Sequence, residues 1–310
     1  MLTFLLSSAV LAGPPSQPDI RPIQINVTVS IADVPPETPV NVYLPIAQDA
    51  ARQTVKRTDI TANIDGTAKT ETKYGNQYWH GQSQNITGGT VTVSLKQTVE
   101  RTSAGSLQPT AEETSLFLQP NTRIALTGPL VEEAIAGMGK HDGSPKGIAQ
   151  AIYDFVVDTM EYKKTGTGWG NGDTEWACSK KYGNCTDFHA MFTSMARAQN
   201  VPARFEIGYP VPLASDSGTI SGYHCWLELA LPDDGWFPID ASQAKKNPDQ
   251  REALFGKQPL DRIEFSVGRD LTLDGQESPP LNFFIDPHVE VGGKQWDAVT
   301  TTVTYSTPTP

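Results

Sequence analysis

The clearest periodicity in the chain lies between residues 23 and 31, IQINVTVSI, where Ile23, Ile25, Val27, Val29 and Ile31 alternate with polar positions. A period of two sets these five side chains on one face of a half-buried β-strand. VNVYLPI (40–46) and VTVSLKQTVE (91–100) repeat the theme, separated by turn-rich stretches such as ADVPPETP and ITGG. Residues 20–120 are therefore expected to form an all-β, sandwich-like domain. The Asn-x-Ser/Thr matches at Asn26 and Asn85 are common chance patterns and carry no weight.

After Pro120 the period lengthens. GPLVEEAIAGMGK (128–140) reads as a helix. In SPKGIAQAIYDFVVDTMEY (144–162), Ser144 is placed to cap a helix whose first position is Pro145. Its expected buried stripe is Ile148, Ile152, Phe155 and Val156. TGTGWGNGD (165–173) is a loop; its glycines lack the spacing and the lysine of a phosphate-binding loop. A third helix follows YGNC, with Phe188, Phe192, Met195, Ala196 and Gln199 on one face and Asn184 available as its cap. Strands continue to about residue 292, so residues 121–295 read as an α+β domain. The tail, 296–310, is expected to be either a last edge strand or disordered. There is no internal repeat.

Composition narrows the function classes. The 310 residues are 38% hydrophobic, enough for real cores, and the formal charge is −11. Without a basic cluster, a nucleic-acid partner is not expected. Residues 1–13 suggest an export signal: an apolar run from Leu2 to Leu11 ends at Ala12-Gly13, although no basic residue precedes it. The expected location is periplasmic or secreted. No later segment is long and apolar enough to span a membrane. No CxxC, HExxH or EF-hand pattern is present, so no metal and no cofactor are expected. Three cysteines in an exported chain imply at least one free thiol. If that thiol is Cys185, Cys178 and Cys225 are left as the pair available for a disulfide.

Cys185 opens the third helix, where free N–H groups and the helix dipole favour a thiolate. The same position suits a buried, inert thiol equally well. What a nucleophile needs is a base and an orienting group. In GYHCWLELALPDDGWFPIDAS (222–242), Cys225, Leu227, Leu229 and Leu231 form the core face of a strand, with His224, Trp226 and Glu228 on the other. A hairpin with a five-residue loop from Ala230 to Asp234 would set His224 opposite Asp240, on one face. Asp240 would then hold the imidazole in one tautomer. His189, one helical turn after Cys185, is the rival base, but no evident acid orients it; packing or a hydrogen bond behind the site suits it better.

GNCTDFHAMFTSMARAQNVPARFEIGY, GYHCWLEL and GWFPIDAS together resemble the transglutaminase-like superfamily. The resemblance covers roughly residues 145–245. RIEFSVGRDLTL and PLNFFIDPHVEV resemble the end of the domain in bacterial members, in which a β-rich N-terminal region is also usual. It implies a papain-like α+β core, a cysteine helix packed on an antiparallel sheet, preceded here by the sandwich-like domain. It implies Cys185 as nucleophile, His224 as general base and acid, and Asp240 as orienter, with Arg197 and Arg204 structural. The family's oxyanion hole uses the nucleophile's own N–H and an upstream donor, often an indole. Trp169 is the candidate here, ahead of Trp176. The calcium sites of the animal cross-linking enzymes have no counterpart. The implied reaction is thioester formation at a protein or peptide amide. Water would resolve the thioester (protease, amidase or deamidase), or a primary amine would (cross-linking). The alternative is a non-catalytic binding or structural module, which loss of a triad residue would favour; none is lost.

Overall fold

The computed structural model describes residues 19–84 and 86–308; the expected export signal and Asn85 lie outside them. The N-terminal part is built from β1 (Ile20–Val34), β2 (Val40–Pro45), β3 (Gln53–Ala62), β4 (Asp65–Thr70), β5 (Gln77–Ser83) and β6 (Gly89–Thr102). The alternation in β1 is matched residue by residue. Ile25, Val29 and Ile31 are fully buried, and Ile23 and Val27 nearly so. The partner is β6, antiparallel, with Val27 across from Leu95 and Val29 across from Val93.

Three helices follow: α1 (Ala111–Leu116), α2 (Pro129–Gly137) and α3 (Pro145–Thr159). The α3 start is as expected, with the Ser144 side chain accepting from the Gly147 N–H and Pro145 at the first turn. The buried stripe is rotated slightly from expectation. Ala149, Ile152, Tyr153 and Val156 are at its centre, while Ile148 and Phe155 flank it, half-buried. Ala149 is fully buried, and α3 packs against a further helix.

That helix is α5 (Cys185–Ala198), reached through β7 (Glu161–Tyr162), α4 (Thr174–Lys180) and β8 (Tyr182–Gly183). The expected single apolar face was too narrow: every residue of α5 from Cys185 to Arg197 is buried. The helix is central, enclosed by α2, α3, α4 and α6 and by the sheet. The sheet comprises β9 (Ala203–Pro210), β11 (His224–Leu231), β12 (Gly235–Ile239) and β13 (Arg262–Val267), in the order β12-β11-β9-β13, all antiparallel. The short β10 (Ser217–Ile220) leaves this sheet, and α6 (Ala241–Lys246) follows β12. A cysteine helix against an antiparallel sheet, after a β-rich part, is the expected α+β architecture.

The last strands, β14 (His288–Val291), β15 (Lys294–Gln295) and β16 (Val299–Ser306), return to the N-terminal part. One five-stranded sheet runs β10-β16-β1-β6-β3 and the other β15-β14-β2-β5-β4. The segment 299–306 is thus a strand inside a sheet, with β1 on one side and β10 on the other. Its alternate residues Val303 and Tyr305 are buried beside Val27 and Ile25. No described helix is long and apolar enough to cross a membrane.

Candidate active site

Asn184 and Asp187 set the mouth of α5. The Asn184 side-chain oxygen accepts the Thr186 N–H at 3.0 Å, and the Asp187 carboxylate returns to the Asn184 N–H at 3.0 Å, a capping box. Asp187 is fully buried and also accepts from Gly170 N (2.7 Å) and Gly172 N (3.1 Å). One carboxylate therefore ties the glycine-rich 165–173 loop to the start of the cysteine helix. Burial raises its pKa, opposed by these three N–H groups. Gly172 sits at φ +58°, and a Cβ there would come within 2.9 Å of the Arg269 guanidinium, so the loop's glycine spacing serves close packing.

His224 is the first residue of β11, and Asp240 follows β12 as the N-cap of α6. The hairpin register differs from the expected one. Leu227 pairs with Ile239, and Leu231 with Gly235, so three residues, Pro232–Asp234, make the turn. Gly235 at φ +69° permits the tight closure. A two-residue slip preserves the face. His224 Nε2 consequently still reaches Asp240 Oδ2, at 2.6 Å. Gly208 of β9 lies across from His224; a Cβ on it would meet the Ile263 carbonyl oxygen at 1.8 Å.

Asp240 is densely held. Its Oδ1 accepts from Gln243 N (2.8 Å) and Ser242 Oγ (3.0 Å). Its Oδ2 accepts from His224 and also from Arg262 Nη1, at 2.8 Å. The Arg262 guanidinium carbon lies over the Trp226 ring, 5.1 Å from its centroid. Burial alone would raise the Asp240 pKa; the His224 charge and hydrogen bond, then Arg262, hold it well below the carboxylate range. Burial alone would lower His224, but Asp240 raises it to about 9.

The same imidazole lies beside Cys185, close enough to perturb its thiol. The Cys185 thiol is held well below its usual pKa, first by a hydrogen bond from Cys225 and then, against burial, by the His224 hydrogen bond and charge. The structure thus brings Cys185, His224 and Asp240 together as an ion-paired row. Cys225 faces the helix side of the sheet, as its alternation predicts, and is fully buried. The helix it faces is the one that carries Cys185, so the two sulfurs are neighbours. Burial pushes Cys225 well above the thiol range, and Cys178 to about 11. All three cysteines are free; Cys178 and Cys225 are not bridged.

His189 lies behind the row. Its Nδ1 is 3.3 Å from Cys225 Sγ and its Nε2 is 3.7 Å from Asp240 Oδ1. An acid does face it, contrary to the sequence expectation, but burial lowers its pKa to about 4, so it is neutral. Trp169 donates its indole N–H to the Gly166 carbonyl at 3.2 Å, within its own loop. Trp176 packs edge-on against Tyr182.

Arg262 was missed by sequence reasoning. Its signal was present: Arg262, Glu264 and Ser266 alternate with apolar Ile263, Phe265 and Val267, and both faces are buried. A polar face that is buried must have partners. Arg262 pairs with Asp240 and Asp261, and the sheet face away from α5 carries a charged layer. There Glu228 is paired with Arg52 and Arg204, and Glu206 accepts from Arg204 and the Trp226 indole. Arg52 precedes β3, so this layer joins the N-terminal part to the four-stranded sheet. Among the described residues no cluster of His, Cys, Asp and Glu is arranged to hold a metal.

Residues 133–241 match the transglutaminase-like superfamily. Over 210 residues the chain is 29% identical to an uncharacterized protein of Haemophilus influenzae; the match covers 57% of this chain and 57% of that relative's length. A solved structure from Cytophaga hutchinsonii, described as a candidate cysteine protease, superposes with a TM-score of 0.60 at 17% identity, over 93% of this chain and 98% of that one. The periplasmic domain of TgpA from Pseudomonas aeruginosa aligns over 70% of this chain and 94% of its own, with a TM-score of 0.36 and 16% identity. The matched stretch runs from within α2 to the residue after Asp240, so Cys185, His224 and Asp240 all fall inside the similarity to the transglutaminase-like superfamily.

Proposed function

We propose that the protein is a cysteine acyl-transfer enzyme with Cys185 as nucleophile, His224 as acid and base, and Asp240 as orienter. The observation that carries this is the row itself: a thiol at a helix N-terminus, beside an imidazole that is bonded to a buried carboxylate at 2.6 Å. The Cys185 thiolate adds to the carbonyl carbon of a peptide or glutamine side-chain amide. His224 gives its proton to the leaving nitrogen as the C–N bond breaks, leaving a thioester. Water then attacks, His224 takes its proton, and the C–S bond breaks to return the thiolate. A primary amine in place of water gives a cross-linked product through the same thioester. Water is the proposed acceptor, because amine transfer needs an additional shaped channel. The apolar run from Leu2 to Leu11 supports action outside the cytoplasm on protein or peptide substrates.

Incubation with a glutamine-rich protein, with and without a tagged primary amine, tests the proposal. Ammonia or new peptide termini without the tag are expected. Tag incorporation would make amine transfer the activity. No product with either, while Cys185 remains alkylatable, would leave a binding module.

A further inference from the structure

The row supplies a nucleophile and a proton carrier, but the tetrahedral intermediate also carries an oxyanion. In the first turn of α5 most N–H groups are occupied: Thr186 donates to the Asn184 side chain and Asp187 to the Asn184 carbonyl. The Cys185 N–H, first in the helix, has no intrahelical acceptor. A single donor is a weak oxyanion site, and the Trp169 indole is turned to Gly166.

A hydroxyl stands at the same mouth. Tyr223 directly precedes His224, and its oxygen is 3.1 Å from Asn184 Nδ2. The direction of this bond is determined. Asn184 Oδ1 already accepts from both the Thr186 N–H and the Thr186 hydroxyl, so the Asn184 amide nitrogen faces Tyr223 and donates. The phenol oxygen is then an acceptor, and its own proton can turn between the neighbouring Thr186 hydroxyl oxygen and a bound substrate. That hydroxyl is held by the residue that immediately precedes Cys185. The ring is half-buried and packs on Phe283. Burial and the nearby Cys185 raise its pKa, so the proton is present throughout the working range.

We propose that the Tyr223 hydroxyl is the second donor of the oxyanion hole, acting with the Cys185 N–H; this rests on the acyl-transfer function proposed above. Asn184 orients it by filling its acceptor side, and Tyr223 and His224, adjacent in sequence, serve opposite sides of the reacting carbonyl.

The test compares two reactions of Cys185 in the full chain. Acylation by p-nitrophenyl acetate passes through an oxyanion, whereas alkylation by iodoacetamide is a direct displacement and forms none. Tyr223→Phe should lower the acylation rate by about 10²-fold or more, the usual loss for one oxyanion donor, with the alkylation rate unchanged. Wild-type acylation in Tyr223→Phe overturns the assignment, most directly if Trp169→Phe loses it instead. Equal loss of both reactions in Tyr223→Phe also overturns it, since Tyr223 would then only hold the helix mouth. Release of p-nitrophenolate by Cys185→Ala at the wild-type rate sinks the acyl-transfer reading itself, and Tyr223 with it.

Discussion

Arg262 donates to Asp240 at 2.8 Å, and both side chains are almost completely buried, at 2% exposure each. The oxygen it uses is the one that also accepts from His224. The guanidinium therefore keeps the carboxylate ionised and, by its charge, moderates the rise in the His224 pKa. Arg262→Met leaves a buried carboxylate with less compensation and should destabilise the fold by about 3–5 kcal/mol, the usual cost of removing one partner from a buried pair. It should also move the alkaline limb of turnover upward, because the positive charge that lowers His224 is gone. Thermal unfolding and a pH–rate profile read the two effects. An unchanged melting temperature would show the pair to be unimportant.

The reactive ion pair needs Cys185 ionised and His224 protonated. Cys185 is well below its usual range and His224 is raised to about 9, so alkylation and turnover should persist well below pH 7, and turnover, which needs the imidazolium proton for the leaving nitrogen, should fall as pH rises through about 9. The stability sign agrees. The contribution of His224 is fully present below its unfolded value, about 6.5, and is lost as pH rises through about 9. Turnover that instead climbs steadily across pH 7–10 would mean that His224 is not paired with a thiolate.

Limited iodoacetamide at about pH 6, where unperturbed thiols are protonated, should label Cys185 well before Cys225 or Cys178. Burial raises both of the latter. Peptide mass mapping identifies the labelled residue. Early label on Cys225 would contradict its place under α5.

Asp240→Asn keeps the shape of the cap but removes the charge that orients the imidazole. The loss expected in turnover is on the order of 10⁴, by analogy with serine triads, with little change in substrate binding. Should His189→Ala prove more damaging to turnover than His224→Ala, the roles of the two imidazoles would have to be exchanged.

Among the described residues, Asp187 is the side chain that satisfies the N–H groups of Gly170, Gly172 and Asn184. Asp187→Ala strands three donors, each at roughly 1–3 kcal/mol. A large fall in melting temperature and faster proteolysis within residues 165–173 are expected. Retention of wild-type stability would show that water replaces the carboxylate at no cost.

What the chain reveals by itself is what is decided within a few residues. The turn at Gly183-Asn184, the cap and the thiol in the first turn of α5 are one local unit, legible in GNCTD. The Ser144-Pro145 start of α3 is likewise a matter of adjacent backbone groups. Strand parity is local too: it put Cys225 on the opposite face from His224, and it kept His224 and Asp240 on a common side although the register slipped by two. Tertiary structure decided the rest, because those contacts close across long stretches whose partners no local pattern names. Arg262 meets Asp240 across the sheet face, over Trp226 of β11, which is two strands away from β13. Residues 299–306 have the alternation of a strand, but only the exposed edge of β1, nearly the whole chain away, tells them where to pair. The direction of the Tyr223 hydroxyl depends on an amide at Asn184 whose other end is already occupied, and sequence spacing has no means of showing that.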